Sequence, residues 1–345
     1  MTDVSGNRVL VTGASGFIAK NCIAELLRQG YEVRGTVRSM SRRAEIEAAL
    51  VRAGIETPSI DLVEADLTAD RGWDDAVAGC RYVLHVASPF PAGEPRHQDD
   101  LIRPARDGAL RVLRAAANAG VERVVQTSSV VAIMRCGKPD EVVRCEADWT
   151  DLKQSDLSTY ARSKTIAERA AWDAMSDLQA TSPMTFCSIN PGVVLGPALD
   201  ADLSTSHNLL RLLGRGIYPA LPKLAFPVVD VRDVAHQHVA AMTQPNAAGE
   251  RWLSCNGTLT LGQMGQFIVE ALPDLKRKVP TIELPSTLLR LASPLTPRLM
   301  AIRGDLGRSN LCDNRKSVEG LGMAYRAPSE AVMTAAQSLR ELGVI

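Results

Sequence analysis

Through the first 190 residues, short runs rich in β-branched side chains alternate with stretches of helical length, a rhythm that rules out most folds at once. The strand-like runs are Arg8–Thr12, Glu32–Val37, Asp61–Ala65, Tyr82–Val86, Arg123–Thr127 and Thr185–Asn190. Between them lie helix-like stretches at Phe17–Gln29, Arg42–Ala53, Leu101–Ala119 and Thr159–Asp177. The strand runs are continuously apolar rather than alternating, which is the pattern of a parallel sheet covered by helices on both faces. The sequence therefore predicts an α/β fold: a doubly wound, Rossmann-type parallel sheet. After Pro197 the rhythm breaks, and prolines cluster at Pro219, Pro222 and Pro227 and again at Pro280, Pro285, Pro294 and Pro297. Residues 1–195 are expected to form the sheet domain and 196–345 a smaller C-terminal lobe. Within that lobe, about 226–255 is expected to return to the main domain through Phe226–Val231 and Arg251–Cys255.

Composition narrows the class of partner. The chain has 345 residues, 46% hydrophobic and 23% charged, with Lys+Arg and Asp+Glu balanced at 39 each. No global field favours nucleic acid or an acidic membrane, so neither is an expected partner. No uninterrupted apolar stretch approaches the roughly 20 residues a spanning helix needs. The polar start, Met1 to Gly6, has neither the apolar core nor the cleavage site of a secretory leader. The seven cysteines (Cys22, Cys80, Cys136, Cys145, Cys187, Cys255 and Cys312) are scattered and contain no Cys-x-x-Cys pair. They suit reduced thiols in the cytoplasm better than a disulfide framework or a zinc site.

Residues Val9 to Ala19 read V-L-V-T-G-A-S-G-F-I-A. An apolar strand ends at Gly13, Gly16 follows, and Ala19 lies one helical turn on. Glycines let the backbone turn sharply and approach a pyrophosphate, and the next helix offers free N–H groups and a positive dipole end. Alone the glycines would mark only a β-to-α turn. At the head of an alternating α/β chain, between strand and helix, they mark a dinucleotide site. Gly13, Ser15, Gly16, Phe17 and Ile18 are its expected cradle. The second strand ends Gly35-Thr36-Val37-Arg38-Ser39, with Arg42 and Arg43 beyond, whereas Glu32 lies at the wrong end of that strand. A planar guanidinium at Arg38 suits a ribose 2′-phosphate, so NADP(H) is expected over NAD.

Tyr160-Ala161-Arg162-Ser163-Lys164 places a phenol and an ammonium one turn apart on a helix face. The cation, reinforced by an oxidised nicotinamide, is expected to lower the phenol's pKa and let Tyr160 exchange a proton. Thr127-Ser128-Ser129 ends the fifth strand, on the side where open α/β sheets bind ligands. A hydroxyl there would donate to a substrate oxygen. Asn190-Pro191-Gly192-Val193-Val194 ends the sixth strand on that same side and is expected to wall the nicotinamide.

With these motifs in order, the chain resembles the extended short-chain dehydrogenases/reductases. Within them it is similar to the branch of dihydroflavonol reductases, cinnamoyl-CoA reductases and methylglyoxal or aldehyde reductases. The resemblance spans nearly the whole chain, through V-T-G-A-S-G-F-I-A, V-R-G-T-V-R-S, L-H-V-A-S-P-F, V-E-R-V-V-Q-T-S-S, Y-A-R-S-K-T-I-A-E-R-A-A-W, N-P-G-V-V-L-G-P and V-D-V-R-D-V-A-H-Q-H. It implies a Ser129, Tyr160 and Lys164 active site, with Ser128 as the backup serine and Lys164 also bonding the nicotinamide ribose. It implies that Asp66 and Leu67 meet the adenine, and that Ala87, Ser88, Thr127, Pro191 and Val193 run along the dinucleotide. The implied reaction is NADPH-dependent reduction of an aldehyde or ketone to the alcohol, Tyr160 giving the proton. The expected partner is a small carbonyl or alcohol substrate, bound by a monomer or homodimer. Phe90, the loop from Pro91 to Asp100 and the C-terminal lobe are expected to shape the substrate pocket.

Two other readings share these motifs. An NAD-dependent nucleotide-sugar epimerase or dehydratase would retain NAD tightly, which the basic turn at Arg38 disfavours. A non-catalytic NADP(H)-sensing regulator would have no need of the intact Tyr-x-x-x-Lys pair. No metal is expected: His236 and His238, two apart on a helix, point to different sides. His85 reads as a core residue, Asp230, Arg232 and Asp233 as structural, Trp149 and Trp172 as packing, and Arg103, Arg106, Arg111 and Arg114 as a solvated face.

Overall fold

The computed structural model describes residues 6–89 and 97–345; residues 1–5 and 90–96 lie outside the described residues, and with them Phe90 and most of its loop. In chain order, β1 (Arg8–Val11), α1 (Phe17–Arg28), β2 (Glu32–Val37), α2 (Arg43–Arg52), β3 (Ile60–Glu64) and α3 (Trp73–Val77) come first. They are followed by β4 (Tyr82–His85), α4 (Asp99–Asn118), β5 (Arg123–Thr127), α5 (Thr159–Leu178) and β6 (Thr185–Pro191). Next come β7 (Val193–Leu195), α6 (Thr205–Gly214), β8 (Leu221–Pro222), β9 (Ala225–Asp230), α7 (Val231–Thr243) and β10 (Arg251–Ser254). The chain ends with β11 (Thr258–Thr260), α8 (Leu261–Ala271), β12 (Glu283–Leu284), α9 (Ser286–Ala292), α10 (Pro297–Ile302), α11 (Arg315–Leu321) and α12 (Pro328–Glu341).

Seven strands form one sheet in the order β10-β6-β5-β4-β1-β2-β3, every neighbouring pair parallel. The continuous apolar runs now have a cause. Val9 and Val11 face one helical layer while Leu10 faces the other; Leu84 and Val83, Val125 and Val124, and Ile189 and Phe186 divide the same way. On one side α1 (Cys22, Ile23, Leu26) and α7 (Val239, Met242) close the core. On the other, α4 (Val112, Leu113) and α5 (Ala171, Met175) do so. Each fully buried aliphatic side chain contributes about 1.5–3 kcal/mol. The strand order reverses between β1 and β4, which opens a crevice at their carboxyl ends.

One expected return to the main sheet is corrected. Phe226–Val231 does not rejoin it: β9 pairs parallel with β7 and antiparallel with β11 in a separate three-stranded sheet. The main-sheet edge beside β6 is occupied by β10, as expected for Arg251–Cys255. The chain leaves the main sheet at Gly192, where a Cβ would stand 2.4 Å from the Pro227 carbonyl oxygen. Glycine is therefore required for β9 to lie against this crossing. The three-stranded sheet packs with α6, α8 and α12 around Leu210, Leu213, Met264, Ile268 and Leu339. Among the described residues, no helix is long and apolar enough to cross a membrane.

Candidate active site

The crevice is built from the glycine turn upward. Gly13 has φ +68°, and a Cβ there would meet the Ala87 Cβ at 3.0 Å, so the turn after β1 sits directly against the segment after β4. Thr12 joins the same two segments, its Oγ1 accepting from the Ala87 N–H at 2.9 Å. The Gly13 N–H donates to Thr36 Oγ1 at 2.9 Å, which ties the turn to β2. Gly16 caps α1 without a side-chain hydrogen bond, and the first turn carries no acid. Those free N–H groups and the positive helix end fit a pyrophosphate. Ser15, Phe17 and Ile18 are all half-buried around this turn.

The basic turn after β2 sorts its cations. Arg42 pairs with Glu45 at 2.6 Å and with Asp202 at 2.5 Å, and Arg43 with Glu47 at 3.2 Å. Arg38 is exposed, and among the described residues nothing hydrogen-bonds or ion-pairs with it. Glu32 sits at the far end of β2, bound to Arg8 at 3.1 Å. Asp66 accepts from the Thr68 N–H and hydroxyl, which hold its carboxyl below the usual range, with the nearby Arg38 cation acting in the same direction. Leu67 lies against Gly108 of α4.

On α5, begun by the Ser158 cap, Tyr160, Lys164 and Glu168 recur every fourth residue on one face. Ser129 hydrogen-bonds Tyr160. The Lys164 ammonium donates to the Thr127 carbonyl at 3.3 Å, while Thr127 Oγ1 is taken by His238 Nε2 at 2.7 Å. His238 Nδ1 lies 2.7 Å from the Val234 carbonyl, which can only accept, so Nδ1 carries the proton and Nε2 accepts from Thr127. The two serines have separate jobs. Ser128 Oγ donates to Glu168 at 2.5 Å, whereas Ser129 faces Tyr160. Pro191 is buried opposite Ser254, and Val193 follows, half-buried, at the start of β7. Ala87 and Ser88 are half-buried at the end of β4.

The expected lowering of the phenol's pKa is not what the structure gives. Burial pushes Tyr160 up and the Ser129 hydrogen bond pulls it down, while the Lys164 ammonium donates to the Thr127 carbonyl. Burial pushes Lys164 itself down to about 8, opposed by the Glu168 carboxylate. His85, buried and bonded to Thr12 Oγ1 at 2.9 Å, is pushed down to about 3 by burial and by the Lys164 cation.

Sequence reasoning missed Glu168. Its fully buried carboxylate accepts from Ser128, from Ser188 at 2.8 Å, from Asn190 Nδ2 at 2.8 Å and from Arg251 Nε at 2.8 Å. Asn190 also donates to the Ser129 carbonyl at 3.2 Å, so this network grips both Ser128 and Ser129. Arg251, nearly buried, stacks 3.6 Å over the Trp149 ring. The signal was present: Glu168 completes the fourfold spacing that begins at Tyr160. The features set aside behave as structure. His236 is exposed while His238 is buried, and Asp230 caps α7 and pairs with Arg232 at 2.7 Å. Trp172 packs edge-on against Phe186, and Arg103 and Arg111 make surface ion pairs.

The model of the NAD dependent epimerase/dehydratase family matches residues 9–253. The chain belongs to that family, in its extended short-chain dehydrogenase/reductase form. An uncharacterized oxidoreductase of Saccharomyces cerevisiae is 33% identical over 97% of this chain and 98% of its own. Cinnamoyl-CoA reductase CAD2 of Medicago truncatula is 37% identical over 72% of this chain and 76% of its own. Among solved structures, the yeast methylglyoxal/isovaleraldehyde reductase complexed with NADPH superposes with a TM-score of 0.80. That reductase is 29% identical, and the match covers 98% of this family member and 100% of the reductase. UDP-glucose 4-epimerase of Thermotoga maritima, at 18% identity and a TM-score of 0.74, shares the fold.

Proposed function

We propose that this chain is an NADPH-dependent reductase that converts an aldehyde or ketone to the alcohol. The observation that carries the reading is the meeting of Ser129, Tyr160 and Lys164 at the carboxyl end of the sheet that also holds the glycine cradle. Gly13, Ser15, Gly16, Phe17 and Ile18 would hold the pyrophosphate, and Arg38 the 2′-phosphate. Asp66 and Leu67 would meet the adenine, with Ala87, Ser88 and Thr127 along the dinucleotide and Pro191 and Val193 against the nicotinamide. When bound, the cofactor supplies hydride. Similarity to reductases of methylglyoxal, isovaleraldehyde and cinnamoyl-CoA supports a carbonyl substrate.

Ser129 donates to the carbonyl oxygen and fixes its position beside the Tyr160 hydroxyl. Tyr160 gives its proton to that oxygen as negative charge develops there. Burial keeps the phenol protonated, so the proton that a reduction needs is held on Tyr160. Lys164 would bond the nicotinamide ribose, its positive charge supported by Glu168, and a turn of its ammonium from the Thr127 carbonyl towards Tyr160 would stabilise the phenolate left behind. Residues 1–195 carry this machinery, and residues 196–345 are assigned to binding the substrate, in a cytoplasmic monomer or homodimer.

The test is consumption of NADPH and of NADH by the purified protein over a panel of aromatic and aliphatic aldehydes, ketones and diketones. The reading predicts turnover that favours NADPH. Tightly retained NAD, with no consumption of either reduced cofactor across the panel, would instead support an epimerase or dehydratase.

A further inference from the structure

Five of the seven cysteines stand alone. Cys22, Cys80 and Cys187 are buried in the core of the main sheet, and Cys136 and Cys145 are free and half-buried. The other two meet. Cys255 and Cys312, separated by 57 positions, bring their sulfurs to 2.8 Å. A covalent S–S bond is about 2.05 Å, so closure needs a shift of less than 1 Å. Neither thiol reaches the other by chance flexibility. The strand after Leu311 is fixed by a parallel bridge to the buried Arg144, whose N–H donates to the Leu311 carbonyl at 2.9 Å and whose carbonyl accepts from Asp313 at 2.8 Å. Cys255 directly follows β10, and its carbonyl accepts from Asn314 Nδ2 at 2.8 Å.

We infer that Cys255 and Cys312 form a redox-active dithiol, a modification site that takes a low-molecular-weight disulfide as its oxidant. Cys312 is half-buried and Cys255 only 1% exposed, so the oxidant meets Cys312 first. The Cys312 thiolate attacks one sulfur of the disulfide RS–SR, forming a mixed disulfide and expelling one thiolate, which takes up the proton Cys312 lost. Cys255 then attacks the Cys312 sulfur, closes the protein disulfide and releases the second thiol. Two protein thiols are oxidised by two electrons, and one RS–SR becomes two RSH. The fold has already met the entropy of bringing these residues together, so the second step is intramolecular and outruns attack by a second external thiol.

The bond would tie two walls of the reacting centre. Cys312 packs against Val130, Ile133 and Met134, immediately after Ser129. Cys255 follows Ser254, whose carbonyl accepts from the Gly192 N–H at 3.0 Å beside Pro191 and Val193. The inference stands on these contacts and not on the proposed activity.

The full-length protein is equilibrated with glutathione from fully reduced to fully oxidised. It is then denatured, alkylated and digested without reductant. Alkylatable thiols should fall from seven to five, with one cross-linked peptide joining Cys255 to Cys312 that dithiothreitol releases. Cys255→Ser should stop the reaction at a glutathione adduct on Cys312. The disulfide form should melt at a higher temperature than the dithiol, because the bond closes a long loop of the unfolded chain. Seven thiols still alkylatable in oxidised glutathione, or cross-links that join other cysteines instead, would overturn the inference. A lower melting temperature of the oxidised form would overturn the pre-positioning on which it rests.

Discussion

The interior at the carboxyl end of the main sheet and the interior of the C-terminal lobe are equally buried but differently made. Around Tyr160 the sheet encloses Glu168, Arg251, Lys164, His85 and His238, each of them hydrogen-bonded. The lobe encloses Leu195, Leu210, Leu213, Met264, Ile268 and Leu339, all apolar. The first interior fixes charge and hydroxyl positions, which is what proton transfer needs. The second, apart from buried groups such as His207 and Ser338, supplies mainly shape. Loss of a side chain should therefore be felt as chemistry in the first and, within the apolar cluster of the second, mainly as stability.

The largest contrast is expected between Glu168→Ala and Leu213→Ala. Removing Glu168 leaves the Arg251 guanidinium buried without its counter-charge, at a cost of about 3–5 kcal/mol, and also frees Ser128 and Asn190 beside Ser129. Leu213→Ala should cost about 2–5 kcal/mol yet leave kcat/KM of the folded protein unchanged. Denaturant melts run beside turnover measurements would separate the two; an equal catalytic loss in both variants would erase the distinction.

The serines give the next effect. Ser129→Ala should lower kcat by about 10²–10³-fold, as for loss of one donor to a developing oxyanion. Ser128→Ala should act mainly through stability, since its hydroxyl serves Glu168. Reversal of that order in steady-state kinetics would exchange their roles.

Acid should attack the sheet before the lobe. Burial lowers His85 to about 3 and His238 to about 4. Between those values and the unfolded pKa of about 6.5, the unfolded chain binds more protons than the folded one. The stability they contribute is complete above about pH 6.5 and is lost as pH falls towards 4 and then 3, on the order of 2 kcal/mol per histidine by pH 5. Melting temperature should fall across that window; a flat profile from pH 7 to pH 5 would contradict it. The smallest effect is expected at Arg38→Ala, a roughly tenfold rise in the NADPH KM (about 1.4 kcal/mol) with the NADH KM unchanged.

The same contrast explains what could be read without a structure. Six of the seven strands of the sheet were legible to within a residue or so at each end among the first 190 residues, because a strand buried on both faces is largely apolar. The glycine turn, Ser129, Tyr160 and Lys164 were legible because their chemistry fixes local spacing. Glu168 shares the Tyr160 spacing, but its ion pair was not legible, since Arg251 lies 83 positions away and spacing alone does not tell a buried carboxylate from an exposed one. The pairing of β9 was hidden for a similar reason: strands of the lobe choose partners by register with distant segments. The Cys255 and Cys312 contact likewise arises only from folding, so scattered thiols read as unrelated.

The central claim is that Tyr160 supplies the proton to a carbonyl reduced by NADPH. Its most direct test is turnover of NADPH with an accepted aldehyde or ketone by the wild type and by Tyr160→Phe, with NADPH affinity measured in both. The account predicts a fall in kcat/KM of about 10²–10⁴-fold while NADPH binds as before. Wild-type turnover in Tyr160→Phe would contradict it.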